Sequence, residues 1–175
     1  DIHPMRRSLI AQTASVATAS IAFAATPAAA QDANATFDIP RLKASNYRKP
    51  YVAIWLEDAD RKAVKMYRVL FDQSPIGDNW LPDMKTWWRR GGRAMKMPVA
   101  GVTRPTRGPG AYKLKMGSLA KLPAGKYALV FEAAREKGGR EVVKLPFDLA
   151  PGKAVKVSAS GSSEMGSVSL TISAS

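Results

Sequence analysis

Residues Tyr51-Val52-Ala53-Ile54-Trp55-Leu56-Glu57-Asp58-Ala59-Asp60 read as a strand running into a turn. Val52, Ile54 and Leu56 recur at period two on one face, with Tyr51, Ala53 and Trp55 on the other. The polar run Glu57 to Asp60 then closes the strand as a hairpin turn. The same alternation returns along the chain. Val64, Met66 and Leu70 carry it, then Tyr112, Leu114 and Met116, then Tyr127, Leu129 and Phe131. Val143, Leu145 and Phe147 follow, then Val155 and Val157, and finally Val168, Leu170 and Ile172. Turn signals separate these runs at Lys137-Gly138-Gly139-Arg140, Ala150-Pro151-Gly152 and Gly161-Ser162-Ser163. About seven short strands spaced this way predict a mainly β fold, an antiparallel sandwich of immunoglobulin-like type.

One segment breaks the pattern. Trp80, Met84 and Trp87 lie at helical spacing, with Leu81 and Trp88 beside them. Asp78 or Asn79 can cap this segment, Pro82 fits only its first turn, and Gly91-Gly92 ends it. The expectation is one short Trp-rich helix packed across an end of the sandwich.

The amino terminus reads as an address. Asp1 to Pro4 precede a start at Met5, Arg6-Arg7 supply a positive region, and residues 8–25 are weakly apolar. Ala28-Ala29-Ala30 offer small residues for cleavage after Ala30, so residues 1–30 are leftover residues plus a signal peptide. Arg6-Arg7-Ser8-Leu9-Ile10 also resembles a twin-arginine signal, although the residues ahead of the pair favour the general secretory route. Either route predicts a periplasmic or secreted protein that does not span the membrane. Residues 31–47 show no clean period and read as a flexible lead-in, which leaves residues 48–175 as a single domain.

Composition narrows the chemistry. Among 175 residues there is no Cys and one His, His3, which falls in the leader. Nucleophilic triads built on His, zinc sites and haem ligation by His or Cys are therefore out of reach of the mature chain. No cofactor and no metal site is expected. Lys and Arg number 27 against 14 acidic residues, a formal net charge of +13. The excess is concentrated: from Met84 to Phe131 the chain has eleven basic residues and no acidic one. Such a stretch builds a positive surface that attracts polyanions. Arg89, Arg90, Arg93, Thr103, Arg104 and Arg107, with Trp87 and Trp88 nearby, are the candidate ligand-binding residues. Export argues against nucleic acid. The remaining partners are an anionic small molecule, an envelope polyanion including lipid headgroups, or an acidic protein.

The acidic residues offer less. Glu57, Asp58 and Asp60 do not have the spacing of a calcium loop and read as a polar turn. Glu132 extends the strand Tyr127 to Ala134 on the face of Ala128 and Val130. It and Arg104 are candidates for a structural latch, in which Arg104 pairs with Glu132 or with helix carbonyls. The alternative places Arg104 against a ligand.

Several phrases resemble a known family. They are Pro50 to Asp58, Trp87-Trp88-Arg89, Gly101-Val102-Thr103-Arg104 leading to Pro109-Gly110-Ala111-Tyr112, and Pro123 to Tyr127 running on to Glu132-Ala133-Ala134-Arg135. In order and spacing they resemble the domain-of-unknown-function family 2271 of predicted periplasmic bacterial proteins, over about residues 48–150. The segment from Gly117 to Gly125-Lys126-Tyr127 is also similar to a hairpin in the immunoglobulin-like module of flagellar hook-capping proteins. Met97-Pro98 stands where the family usually has an acidic residue. The resemblance implies an exported accessory protein, some relatives being linked to membrane modules for iron or flavin redox chemistry, and it brings no active site. Two functional readings follow. The favoured one is a non-enzymatic binding or accessory module with a basic face. The other is a hydrolase-type enzyme that uses carboxylate, Lys and Arg side chains without metal, with Glu132 and Arg104 meeting in a pocket.

Overall fold

The computed structural model describes residues 31–174, and the leader read from residues 1–30 lies outside them. Nine strands form in this region: β1 (Asp32–Ile39), β2 (Tyr51–Asp58), β3 (Ala63–Phe71), β4 (Thr103–Pro105), β5 (Gly110–Ser118), β6 (Gly125–Ala134), β7 (Arg140–Leu149), β8 (Val155–Ser160) and β9 (Ser167–Ile172). They make a two-sheet sandwich, with a four-stranded sheet in the order β5-β1-β9-β8 and a five-stranded sheet in the order β4-β3-β2-β6-β7. All seven expected strands are present. The two additions are β1 and β4, and the β3–β4 pair is parallel, whereas every other pair is antiparallel.

The expected flexible lead-in at 31–47 is corrected by β1. That strand lies inside the four-stranded sheet, hydrogen-bonded to β5 on one side and β9 on the other. Ala33, Ala35, Phe37 and Ile39 are buried at alternate positions. The segment from Gly117 to Gly125 is a crossing and no hairpin, because β5 and β6 belong to different sheets.

Between the sheets lies the main core, with Ile54, Leu56, Leu129, Phe131, Leu145 and Leu170 at its centre. Burial of this apolar surface, at roughly 25 cal/mol per Å², is the dominant favourable contribution. The five-stranded sheet buries its outer face as well. Tyr51, Ala53, Trp55, Val69, Phe71 and Val130 form a second core there with Leu81, Met84 and Trp87. Strand β2 is therefore buried on both faces from Tyr51 to Glu57, as a central strand covered on both sides requires.

The cover over that second core is not one continuous helix. A 3-10 segment runs from Gly77 to Asp83, and α1 (Lys85–Arg90) follows after a break at Met84, whose ψ is 73°. A second 3-10 turn, Gly92–Ala94, ends the cover. Neither Asp78 nor Asn79 caps it; Ile76 stands at the first N-cap with no side-chain bond. The break frees the amides at the start of α1, and a side chain from the sheet takes them.

That side chain is Glu132. It is 0% exposed, and its carboxylate accepts the Thr86 N–H at 3.0 Å, the Trp87 N–H at 2.6 Å and Arg140 Nε at 2.7 Å. Arg140 also donates to Thr86 Oγ1 at 2.6 Å. Glu57 holds the other end of α1: it accepts from Trp55 Nε1 at 3.1 Å, from Arg90 Nε at 3.1 Å and from Lys144 Nζ at 3.2 Å. Glu57 is 2% exposed, so it belongs to the second core and not to the turn. Asp58 does belong to the turn, where Oδ1 accepts the N–H groups of Asp60 and Lys62. Each buried carboxylate thus meets several charge-assisted donors, which offset the cost of desolvating it.

Candidate anion-binding cleft

At one side of the sandwich β7 and β8 lie against each other, which closes the two sheets there. The opposite side, between β5 and the β4–β3 edge, is open. The chain crosses this opening once, from β4 through residues 106–109 into β5. The crossing leaves a cleft of about 250 Å³ lined by Phe37, Arg68, Leu70, Arg104, Arg107, Tyr112 and Lys113. Four of these seven side chains are cationic and none is a carboxylate.

Each wall has a local reason for its place. Arg68 sits opposite Ile54 in the β2–β3 ladder, beside a register shift, and so lies on the inner face of the five-stranded sheet. Its Nη1 donates to the Gly101 carbonyl at 3.4 Å. Burial, and then the nearby Arg104 and Arg107, hold its pKa below the ordinary arginine value. Thr103 fixes the loop before β4: its Oγ1 accepts the Val99 N–H at 3.2 Å and donates to the Val99 carbonyl at 3.1 Å. The strand Thr103–Pro105 then pairs with Val69–Phe71, which sets Arg104 at the rim. Tyr112 donates from Oη to the Gly108 carbonyl at 2.7 Å. Its ring packs 5.5 Å from that of Phe37, and the Arg107 guanidinium lies 5.6 Å from the Tyr112 centroid. The floor is thus aromatic and rigid and the rim is cationic. Among the described residues, none of the four cations has a salt bridge.

The candidate residues read from sequence divide between two faces. Arg104 and Arg107 line the cleft. Thr103 is buried, with its hydroxyl committed to Val99, and acts on the loop. Trp87, Trp88, Arg89, Arg90 and Arg93 belong to the cover over the outer face of the five-stranded sheet. Trp87 is core, Trp88 is half-buried against it at 6.1 Å, Arg90 is paired with Glu57, and Arg89 and Arg93 are exposed. The Arg104–Glu132 latch does not form. Glu132 is the latch residue, its guanidinium partner is Arg140, and Arg104 is exposed at the cleft. Arg68, Lys113, Tyr112 and Phe37 are cleft residues that the sequence reading did not assign. One signal did exist: Arg68 fills the gap in the alternation Val64, Met66, Leu70, a cation in a row of apolar positions.

The fold and the cleft define a mainly β, two-sheet sandwich in which a Trp-rich helical cover roofs the outer face of the five-stranded sheet and the open side is cationic. The chain belongs to the DUF2271 family, described as predicted periplasmic protein, whose model matches residues 32–167. That description places the protein in the periplasm. No curated protein and no solved structure matches it. Among the described residues, no helix is long and apolar enough to cross a membrane.

Proposed function

We propose that this periplasmic protein is a non-enzymatic binding or accessory module that takes an anionic group into the cleft of Arg68, Arg104, Arg107 and Lys113. The observation that carries the reading is the convergence of four cations on one small aromatic-floored cleft with no carboxylate among them. Like charges held together destabilise the empty site, and a bound anion relieves that cost. Arginine side chains suit this role, since their planar forks grip carboxylate or phosphate oxygens in pairs. The buried carboxylates support binding over hydrolysis: Glu132 and Glu57 already hold α1 and are not available as a general acid and base. The redox-support role implied by the family resemblance enters this reading as docking of the cleft on an acidic face of such a membrane module.

Calorimetric titration with sodium pyrophosphate tests the proposal. Binding at low ionic strength that weakens steadily with added salt, and that falls in an Arg104→Ala/Arg107→Ala double variant, is expected. Absence of binding at low salt overturns it.

A further inference from the structure

The open side of the sandwich carries more than a pocket. Strand β5 is the outermost strand of its sheet and pairs only with β1. From Gly110 to Lys115 it runs in unbroken register against Asn34–Ile39, and the one irregularity comes beyond Lys115. On its other side, alternate backbone N–H and C=O groups of this run have no backbone partner among the described residues. Exposed edges are usually blunted by proline, by bulges or by a covering element. The other edges here are. Strand β4 is three residues long and ends in Pro105, β7, which contains Pro146, and the unbroken edge β8 cover each other, and the uncovered half of β3 is broken by two register shifts against β2. Among the described residues, only β5 combines a straight run with a side that no other element covers.

Charge says what can pair with it. Lys113 and Lys115 are exposed on the outer face of β5, while Leu114 and Met116 turn into the core. The cationic cleft begins at the Tyr112–Lys113 end of the same strand. A second copy of this basic edge is repelled. An acidic extended segment is attracted at Lys113 and Lys115, and its end meets the arginines of the cleft.

Resting on the proposed anion-binding role of the cleft, we infer that the free edge of β5 from Gly110 to Lys115 accepts an extended acidic segment of a partner protein as an added strand. The backbone ladder supplies affinity without demanding a particular sequence. Lys113, Lys115 and the cleft arginines select carboxylates at alternate positions.

The probe is an acetylated, amidated six-residue peptide that alternates glutamate with threonine, titrated into the 15N-labelled protein. Two further peptides carry N-methyl groups, one on the glutamates and one on the threonines, so that one of them removes the donors facing β5 in either phase. Sodium pyrophosphate is titrated in parallel. Expected are chemical-shift changes and slowed amide exchange across Ala111 to Lys115 with the parent peptide. One N-methylated peptide should bind at least roughly tenfold more weakly than the other, because up to three backbone hydrogen bonds to β5 are lost. A Lys113→Glu/Lys115→Glu variant that keeps its melting temperature should also lose peptide affinity. If pyrophosphate binds but the peptide does not, or both N-methylated peptides bind like the parent, strand addition is overturned while the anion cleft stands, and a surface polyanion takes the partner's place. If neither pyrophosphate nor peptide binds, the cleft reading and this inference fall together.

Discussion

Replacing Glu132 by glutamine should destabilise the protein by about 3–4 kcal/mol, because its carboxylate is the sole anchor of the amides that open α1. The side chain is 0% exposed and accepts three N–H groups, from Thr86, Trp87 and Arg140. Glutamine fills the same volume but offers one acceptor oxygen in place of two. Its amide nitrogen must then point donor hydrogens at the Trp87 N–H, or at the Thr86 N–H and Arg140 together. One or two buried donors lose their partner, and each charge-assisted bond is worth about 1.5–3 kcal/mol. Arg140→Ala should cost less, about 1–2 kcal/mol, because the Arg140 side chain is 34% exposed and Glu132 keeps its two backbone bonds. Urea unfolding of both single variants and the double variant gives the coupling. The thermal midpoint of Glu132→Gln should drop by roughly 10 °C. A loss below about 1 kcal/mol, or strict additivity of the Glu132 and Arg140 changes, would refute the anchor. Combining Glu132→Gln with Arg104→Ala should instead be additive, since those residues do not meet.

Other expectations follow from single contacts. A Cβ on Gly92 would lie 2.6 Å from the indole ring of Trp87, which is itself fully buried, so Gly92→Ala should cost about 2–3 kcal/mol in urea unfolding. Tyr67 is buried, its hydroxyl has no hydrogen-bond partner among the described residues, and burial pushes its pKa up to about 12. Tyr67→Phe should therefore be neutral or raise stability by up to about 1 kcal/mol, measured the same way. Glu141 is the acid-sensitive clasp on the β8–β9 loop. Burial alone would raise its pKa, but the N–H groups of Ser162, Met165 and Ser163, with the Ser162 hydroxyl, outweigh that and bring it down to about 2. A depressed folded pKa means that the stabilisation is complete above the unfolded value, 4.5, and is lost as pH falls towards 2. After discounting for partial exposure the clasp contributes about 1–2 kcal/mol, and thermal melts of Glu141→Gln should fall less steeply between those pH values than melts of the unaltered protein.

Period-two patterning made most of the sandwich legible, because strands such as Val168, Leu170 and Ile172 bury one face against large apolar neighbours. Strand β1 escaped because two of its four inward residues, Ala33 and Ala35, are small and signal burial weakly. Strand β4 escaped because three residues carry no period. The helical stripe was legible through Leu81, Met84 and Trp87, but its break at Met84 was not, since the side chain that takes the freed amides comes from Glu132, some 46 positions away in the chain. Separation in sequence likewise hid Lys144 as a partner of Glu57, 87 positions away, and Arg68 as a wall of the cleft, whereas Arg140, only 8 positions from Glu132, is set beside it by the register of the β6–β7 ladder. The basic stretch from Met84 to Phe131 signalled positive charge. It could not show that the chain divides that charge between opposite faces of the five-stranded sheet.

The central claim is that the cationic cleft, and not the basic end of the helical cover, is where an anion binds. Titrating the 15N-labelled protein with sodium pyrophosphate at low ionic strength tests it residue by residue. The account predicts shifts at Arg68, Arg104, Arg107 and Lys113 that disappear in the Arg104→Ala/Arg107→Ala variant, with Arg89 and Arg93 unmoved. Shifts centred on Arg89 and Arg93, or none at all, would contradict it.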